Sequence, residues 1–157
     1  MRKLILTYTV FLLSVLFLGA CDRSMVYDEF VRIDNSSWHW DDPAEFAFEM
    51  EDTVHFHDIL IQVRHTTDYP LSNLYMFVHV EGPSGQEMTD TINFILAAHS
   101  GKWIGKGVGN IRSIGYRYKK NTVFPQPGAY EVTIEQAMRL PEVPVSEVGV
   151  RVEKVNP

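Results

Sequence analysis

The sequence of 157 residues has one cysteine, and it has no run of basic residues, no internal repeat and no low-complexity segment. A single cysteine excludes an internal disulfide, so the fold depends on its hydrophobic core. Hydrophobic residues make up 45% of the chain, which is enough for such a core and too much for a chain disordered along its length. The length predicts a single domain.

Positive charge is also scarce beyond the N-terminus. Once Arg2 and Lys3 are set aside, residues 21–157 carry 12 Lys and Arg against 20 Asp and Glu, a formal charge of −8. An acidic domain without a basic run argues against nucleic-acid binding, which depends on contacts to phosphate. It argues equally against attraction to anionic lipid by charge.

Only one long apolar run is present, at residues 4–18, directly after Arg2 and Lys3. As a helix, its 15 residues would extend about 22 Å, which is short of the roughly 30 Å hydrocarbon core of a bilayer. The run is therefore interpreted as the apolar region of a signal peptide covering residues 1–20.

The segment that follows, Leu18-Gly19-Ala20-Cys21, resembles the lipobox of bacterial lipoproteins. Lipidation of Cys21 by a diacylglyceryl thioether, with acylation of the new amino terminus, would leave no free thiol in an exported protein. Two or more acyl chains anchor a protein stably to a membrane. We predict a lipidated Cys21 with a spacer at residues 21–26 and one domain at 27–157. The alternative is an ordinary signal peptide that ends near a cysteine.

Beyond the signal segment, hydrophobic residues alternate with period two. Leu74, Met76 and Val78 fall on one face of a candidate strand, with Tyr75 and Phe77 on the other. Residues 82–85 form a turn in a predicted hairpin. Other candidate strands lie near residues 27–33, 46–50, 54–66, 89–97, 111–118, 130–136 and 148–155. The pattern predicts an all-β fold, an antiparallel β-sandwich of roughly seven to nine strands, and only residues 90–98 and 134–140 have a helical alternative.

Motifs for catalysis or cofactor binding are absent. No G-x-S-x-G occurs, and Cys21 is used by the anchor. The glycines of residues 101–109 do not form a phosphate-binding loop, because Lys106 is followed by Gly107 and then by β-like alternation. They are interpreted as positions of positive φ or close backbone approach. We expect no cofactor and no enzymatic activity, although the sequence leaves open a pair of carboxylates such as glycosidases use.

A metal site has one possible starting point, His55-x-His57, which would place two imidazoles on one face of a strand. A zinc site needs at least a third protein ligand, and none stands at an informative spacing. Exposed sheet histidines explain the pair without a metal, so no metal site is predicted.

Aromatic residues near loops supply the candidate contact surface. Loop 100–110 contains Lys102, Trp103 and Lys106, and it is grouped with the turn at Tyr69 as a possible partner contact. The alternative is a structural loop that closes the sandwich. Trp38 and Trp40 lie near another loop; exposed tryptophans beside polar groups would favour stacking on sugars, whereas buried ones would close the ends of the core.

Several segments taken in order resemble the GldH family of gliding-motility lipoproteins of Bacteroidota. They are residues 26–30 (VYDEF), 35–38 (NSSW), 64–74 (RHTTDYPLSNL), 83–85 (PSG), 90–92 (DTI), 101–107 (GKWIGKG), 136–139 (QAMR) and 148–151 (VGVR). The resemblance implies an outer-membrane lipoprotein needed for gliding, in a system linked to type IX secretion, and it implies no catalytic residues. The residues after Cys21 lack a clear surface-export signal, so the periplasmic and surface faces both stay open.

Three functions are thus in competition. The first is a non-enzymatic lipoprotein that binds envelope proteins of a gliding or secretion apparatus. The second is a glycan-binding accessory lipoprotein, for which a tryptophan has to be exposed on a flat or grooved face. The third is an envelope hydrolase with a carboxylate pair in a cleft.

Overall fold

The computed structural model describes residues 24–155, which form ten β-strands and no α-helix. The strands are β1 (Met25–Arg32), β2 (Trp38–His39), β3 (Ala44–Met50), β4 (His57–Thr66), β5 (Asn73–Glu81), β6 (Glu87–Ile95), β7 (Ile111–Thr122), β8 (Gly128–Gln136), β9 (Glu142–Val143) and β10 (Val145–Lys154). The predicted signal peptide and Cys21 lie outside the described residues. β1 begins at Met25, so the last two residues of the predicted spacer belong to the sheet.

Two four-stranded antiparallel sheets form the sandwich. Sheet I has the strand order β1-β10-β4-β7, and sheet II has the order β3-β8-β5-β6. β2 and β9 pair with each other as a separate two-stranded ribbon. The predicted antiparallel β-sandwich is confirmed. The period-two pattern is clear in β3, β4, β5 and β8, whereas β2 and β9, with two residues each, are too short to show one.

The core lies between the sheets because alternate side chains of each central strand point inward. In β5, Leu74, Met76 and Val78 are buried while Tyr75 and Phe77 are exposed, as predicted. The same alternation runs through β3, β4 and β8. Burial of these apolar side chains is the main source of stability in a domain that has no disulfide among its described residues.

The two segments that the sequence left open as helices, residues 90–98 and 134–140, form strands where they pair with β5. Residues 90–95 belong to β6 and residues 134–136 end β8, and each pairs with β5 in antiparallel register. The β5–β6 hairpin has a five-residue loop, 82–86, closed by a hydrogen bond from Gly82 N–H to the Gln86 carbonyl at 2.9 Å. Gly85 adopts φ +76°, a conformation that favours glycine. The predicted hairpin is therefore confirmed.

The sandwich has two chemically different ends. The anchor end contains the start of β1, the end of β10 and loops 51–56, 82–86 and 123–127. The distal end contains residues 33–43, 67–72, 96–110 and 137–144. β4 runs from one end to the other, and its ten residues extend about 30 Å. Cys21 stands four residues before Met25 in the sequence, which gives the anchor end its name.

A polar clasp joins the two sheets where their edge strands β6 and β7 face each other. The Tyr118 hydroxyl donates a hydrogen bond to Asp90 Oδ2 at 2.6 Å, and Lys119 Nζ lies 2.7 Å from the same oxygen. The Lys119 ammonium, followed by the Tyr118 hydroxyl, holds the pKa of Asp90 below its usual range. The clasp thus ties sheet I to sheet II along a side where β7 has no fully buried residue.

Candidate binding surface at the distal end

Residues 96–110, here called the long loop, contain the predicted contact residues Lys102, Trp103 and Lys106. The loop folds back on itself through an antiparallel bridge between Ala97 and Trp103. A second bridge joins Lys106 to Ser113 of β7, with N–H to carbonyl distances of 3.0 and 2.8 Å. The first bridge therefore closes the long loop on itself, and the second fixes it to β7.

The glycines of the long loop are required by these close approaches. A Cβ on Gly107 would lie 2.1 Å from the Ile111 carbonyl oxygen, and one on Gly105 would lie 2.9 Å from the Ser113 carbonyl oxygen. Gly109 adopts φ +67°. Any larger residue at Gly107 has to displace backbone atoms, since the contact is far inside van der Waals distance. The interpretation of this run as close approach and positive φ is confirmed.

An aromatic cluster of Tyr69, His65 and Trp103 joins the long loop to β4 and to the turn that follows β4. The His65 ring centroid lies 4.7 Å from that of Trp103 and 5.7 Å from that of Tyr69. Tyr69 is only 4% exposed, and its hydroxyl donates to the Asn73 carbonyl at 3.1 Å. The prediction that Tyr69 contacts a partner needs correction: its ring packs into the core, and Tyr69 fixes the turn that borders the long loop.

His65 joins this cluster as a neutral imidazole. Its Nδ1 lies 2.9 Å from the Thr66 carbonyl oxygen, which only accepts, so Nδ1 carries the proton and donates. Burial lowers the pKa of His65, and the nearby charge of Arg112 acts in the same direction. Neither pattern nor spacing singled out His65 in the sequence; its position on the inward face of β4 is the signal that would have found it.

The outer side of the long loop presents both charge and apolar surface. Lys102 and Lys106 are exposed, while Trp103 is half-buried. Ile104 is exposed, and Val108 is 94% exposed, the fullest exposure of any large hydrophobic residue in the described chain. Apolar side chains held in water by a fixed loop are typical of a surface that another molecule covers.

A cleft of about 600 Å³ adjoins the long loop on the side of sheet I. Arg32, Arg64 and Lys106 line it together with one acidic residue, Glu147. Both Arg64 Nη1 and Arg32 Nη2 approach the Glu147 carboxylate, the latter at 3.9 Å, so two basic groups share one acid and a net positive charge results. We call this the basic cleft. Its arginines come from two strands, which is why the sequence pattern did not reveal it.

An apolar recess of about 770 Å³ lies at the distal end on the side of sheet II. Its lining includes Leu71, Tyr75, Met138 and Leu140. Leu71 and Tyr75 are exposed, although both are large and largely apolar. The recess and the basic cleft thus lie on different sides of the distal end, which offers apolar contact on one side and positive charge on the other.

The tryptophans at this end have divergent environments. Trp38 is fully buried, and its Nε1–H donates to the Asp42 carbonyl at 2.7 Å. Trp40 is 46% exposed and lies edge-on to His39, with ring centroids 5.6 Å apart. Trp38 therefore closes the core, and Trp40 remains available at the surface.

The His55-x-His57 pair does not form one strand face, contrary to the prediction. His55 precedes β4 and is exposed, with Nδ1 2.8 Å from Asp52 Oδ2, whereas His57 begins β4 and is buried. The Lys154 ammonium, followed by the His55 side chain, holds the pKa of Asp52 well below its usual range. No group of three or more metal-ligating side chains occurs among residues 24–155.

Carboxylates come together on the outer face of sheet II. A shallow cleft of about 320 Å³ is lined by Glu81, Glu87, Glu131 and Glu135. His79 Nε2 lies 3.6 Å from Glu135 Oε2. Three of the four glutamates are exposed to solvent, whereas a catalytic carboxylic acid needs shielding from water to keep its proton. This arrangement describes an acidic surface better than an acid–base pair.

The described residues include no helix that is long and apolar enough to cross a membrane. Cys21, the predicted lipidation site, precedes the first described residue by three positions.

Comparison with known proteins gives the family. The GldH lipoprotein family model matches residues 25–152. The gliding motility lipoprotein GldH homolog of Christiangramia forsetii and the gliding motility lipoprotein GldH of Flavobacterium johnsoniae are each 31% identical over 153 residues, covering 92% of this chain and 93% and 94% of theirs. A chain of the infectious bursal disease virus VP2 subviral particle has a TM-score of 0.40 and 13% identity, covering 86% of this chain and 33% of its own; this likeness is too low to support an argument. The chain therefore belongs to the GldH lipoprotein family.

Proposed function

We propose that this protein is a non-enzymatic component of a gliding-motility apparatus that binds another cell-envelope protein through its distal end. Membership of the GldH lipoprotein family supports the motility role. The binding role rests on one observation: Ile104, Val108 and two lysines are exposed on a loop that is fixed by two bridges. A fixed loop loses little conformational entropy when a partner covers it.

The proposed anchor is a lipid on Cys21, which becomes the first residue once residues 1–20 are removed. It holds the domain to the outer membrane, on either the periplasmic or the surface side. Two or more acyl chains hold a protein to a bilayer without a spanning helix. The apparatus we propose is linked to type IX secretion, as the family resemblance implies. Because β1 starts at the anchor end, this arrangement holds the distal end about 30 Å from the membrane.

The chemistry of the distal end defines the partner. An interface of ordinary size has an apolar centre and a polar rim. The exposed Val108 and Ile104 supply apolar contacts, and the basic cleft supplies arginines that pair with carboxylates in a fork geometry. The partner we propose is an envelope protein that presents an acidic segment beside apolar side chains.

The test is photo-crosslinking in living cells. A photoreactive amino acid replaces Val108, and in a matched control it replaces Thr91, which is exposed in the middle of β6. We expect position 108, but not position 91, to capture gliding or type IX secretion proteins identified by mass spectrometry. Equal capture at both positions, or capture of unrelated abundant proteins alone, would contradict the proposal.

Glycan binding is a second candidate, favoured by Trp40. Trp40 is 46% exposed, and the exposed Asp41 and Asp42 follow it in the sequence. An exposed indole near polar groups is suited to stacking on a sugar. On a glycan array, specific signal that Trp40→Ala abolishes would support this candidate. Signal that is absent, or that survives both Trp40→Ala and Trp103→Ala, would eliminate it.

A further inference from the structure

The anchor end exposes large apolar side chains that the proposed partner-binding surface does not use. In loop 51–56, Val54 is 78% exposed and Phe56 is 54% exposed. Met25, Val26 and Val123 are also exposed at this end. Such side chains are ordinary when they occur singly, but a group at one end of a domain indicates a covered surface.

These residues lie along the end of sheet I in the order of its strands. The Val155 N–H donates to the Phe56 carbonyl at 2.8 Å, and the Lys154 N–H donates to the Ser24 carbonyl at 2.7 Å. The start of β1, the end of β10 and the start of β4 are thus hydrogen-bonded side by side. His57 pairs with Thr122, which places Val123 at the other side of the row.

Loop 51–56 is folded in a way that fixes Val54 and Phe56 in their exposed positions. Asp52 Oδ1 accepts hydrogen bonds from the N–H groups of Val54 and His55, at 3.2 and 3.1 Å. Asp52 Oδ2 lies 2.8 Å from Lys154 Nζ, which joins the loop to the end of β10. The Asp52 carboxylate is thereby partnered, and the exposed Val54 and Phe56 flank His55 at the loop tip.

An apolar groove of about 370 Å³ opens at the same end, between the edge strands of the two sheets. Its lining includes Val80, Met88, Val123 and Phe124. Met88 and Val123 are exposed at its rim. The apolar character of the anchor end therefore extends from β1 across to β6.

The short segment between Cys21 and β1 limits what can cover the anchor end. Three residues separate Cys21 from Met25, and the four residue steps between them span only about 14 Å even in a fully extended chain. A lipid on Cys21 therefore keeps the anchor end within about 14 Å of the membrane surface. The mature chain has a formal charge of −8, so attraction to anionic headgroups would not hold the anchor end against the membrane.

We propose that the anchor end sits in the membrane interface, with Val54, Phe56 and Val123 buried at the boundary between headgroups and acyl chains. The inference rests on the lipid anchor at Cys21 contained in the proposed function. It adds that the domain is not a freely rotating body on a tether: it stands upright, with the distal end directed away from the bilayer. Apolar side chains at this boundary contribute to membrane binding in proportion to the area they bury.

The experiment uses the full lipidated protein in phosphatidylcholine vesicles with or without brominated acyl chains, which quench tryptophan on contact. The native tryptophans, Trp38, Trp40 and Trp103, all lie at the distal end and give the baseline. Phe56→Trp and Val54→Trp place a reporter at the anchor end. Phe77→Trp is the matched control, because Phe77 is exposed on the outer face of sheet II.

We expect Phe56→Trp and Val54→Trp to lose a large share of the added emission in brominated vesicles, while the native protein and Phe77→Trp lose little. Val54 is the more exposed site, so Val54→Trp keeps the test valid if Phe56→Trp fails to fold. Flotation of the same vesicles separates the two ideas. Protein that floats without selective quenching overturns the upright placement and leaves the anchor intact, and protein that does not float contradicts the anchor itself.

Discussion

Replacing either of two buried histidines on β4 with leucine is predicted to change the stability of the domain, in opposite directions. His57 and His65 are both fully buried, eight residues apart, at the two ends of the strand. Among the described residues, neither ring nitrogen of His57 has a hydrogen-bond partner, whereas His65 Nδ1 donates to the Thr66 carbonyl. We predict that His57→Leu stabilises the domain and that His65→Leu destabilises it.

The expected gain at His57 follows from its unpartnered nitrogens. A buried polar group without a partner costs about 1–3 kcal/mol, and leucine, of similar volume, removes two such groups. Some repacking against Phe124, whose ring centroid lies 5.5 Å from that of His57, offsets part of the gain. We therefore expect the free energy of unfolding to rise by about 1–3 kcal/mol, and the Tm to rise by about 2–4 °C for each kcal/mol.

The expected loss at His65 follows from the contacts that leucine cannot make. One hydrogen bond contributes about 1 kcal/mol, and each aromatic ring contact contributes about 0.5–1.5 kcal/mol beyond its buried area. His65 has one such bond and contacts the rings of Trp103 and Tyr69. Leucine also removes the buried His65 Nε2, which has no hydrogen-bond partner among the described residues, so the free energy of unfolding should fall by only about 1 kcal/mol.

The pH dependence gives an independent check. Burial lowers the pKa of both histidines from about 6.5, an effect that Asp52 partly opposes at His57. Below that pH the unfolded chain takes up protons that the folded chain resists, so stability is complete above about pH 6.5 and falls as the pH drops below it. Each leucine variant should flatten this fall.

Thermal unfolding of the mature protein in detergent, followed by circular dichroism at pH 7.5 and 5.5, measures both effects. The reasoning is refuted if His57→Leu lowers the Tm at pH 7.5 as much as His65→Leu does. It is also refuted if neither variant changes the difference between the two pH values.

Three further predictions concern the long loop, the clasp and the anchor. Gly107→Ala should reduce crosslinking from position 108 several-fold while circular dichroism of the sheets is retained, because its Cβ would displace the Ile111 carbonyl; unchanged crosslinking would contradict the close contact. Tyr118→Phe should lower the free energy of unfolding by about 1 kcal/mol in denaturant titrations, through loss of its bond to Asp90, and wild-type stability would argue against the clasp. Cys21→Ala should leave an unlipidated precursor and abolish gliding of a complemented mutant, and full motility from that precursor would disprove the anchor.

The sequence predicts the strands well and the site only in part, for a physical reason. Period-two alternation reports which face of a strand is buried, so the inward residues of β5 and the hairpin after it were predicted correctly. Burial of a turn residue depends instead on what the topology places above it. Tyr69 follows β4 in a turn and was expected at the surface, but the long loop, more than thirty residues later, brings Trp103 over His65 beside it. The basic cleft was missed because Arg32 and Arg64 meet only across β10.

The position of β1 has a mechanical consequence. Cys21 stands four positions before β1 in the sequence, and β1 is an edge strand that pairs with β10 from Met25 to Arg32. In the proposed arrangement, where a lipid holds the N-terminus and a moving partner pulls on the distal end, the load runs parallel to the strands. The hydrogen bonds between β1 and β10 then bear that load together in shear, whereas a pull across the sheet would break them one after another. The arrangement is suited to a link that carries tension between a membrane and a moving body.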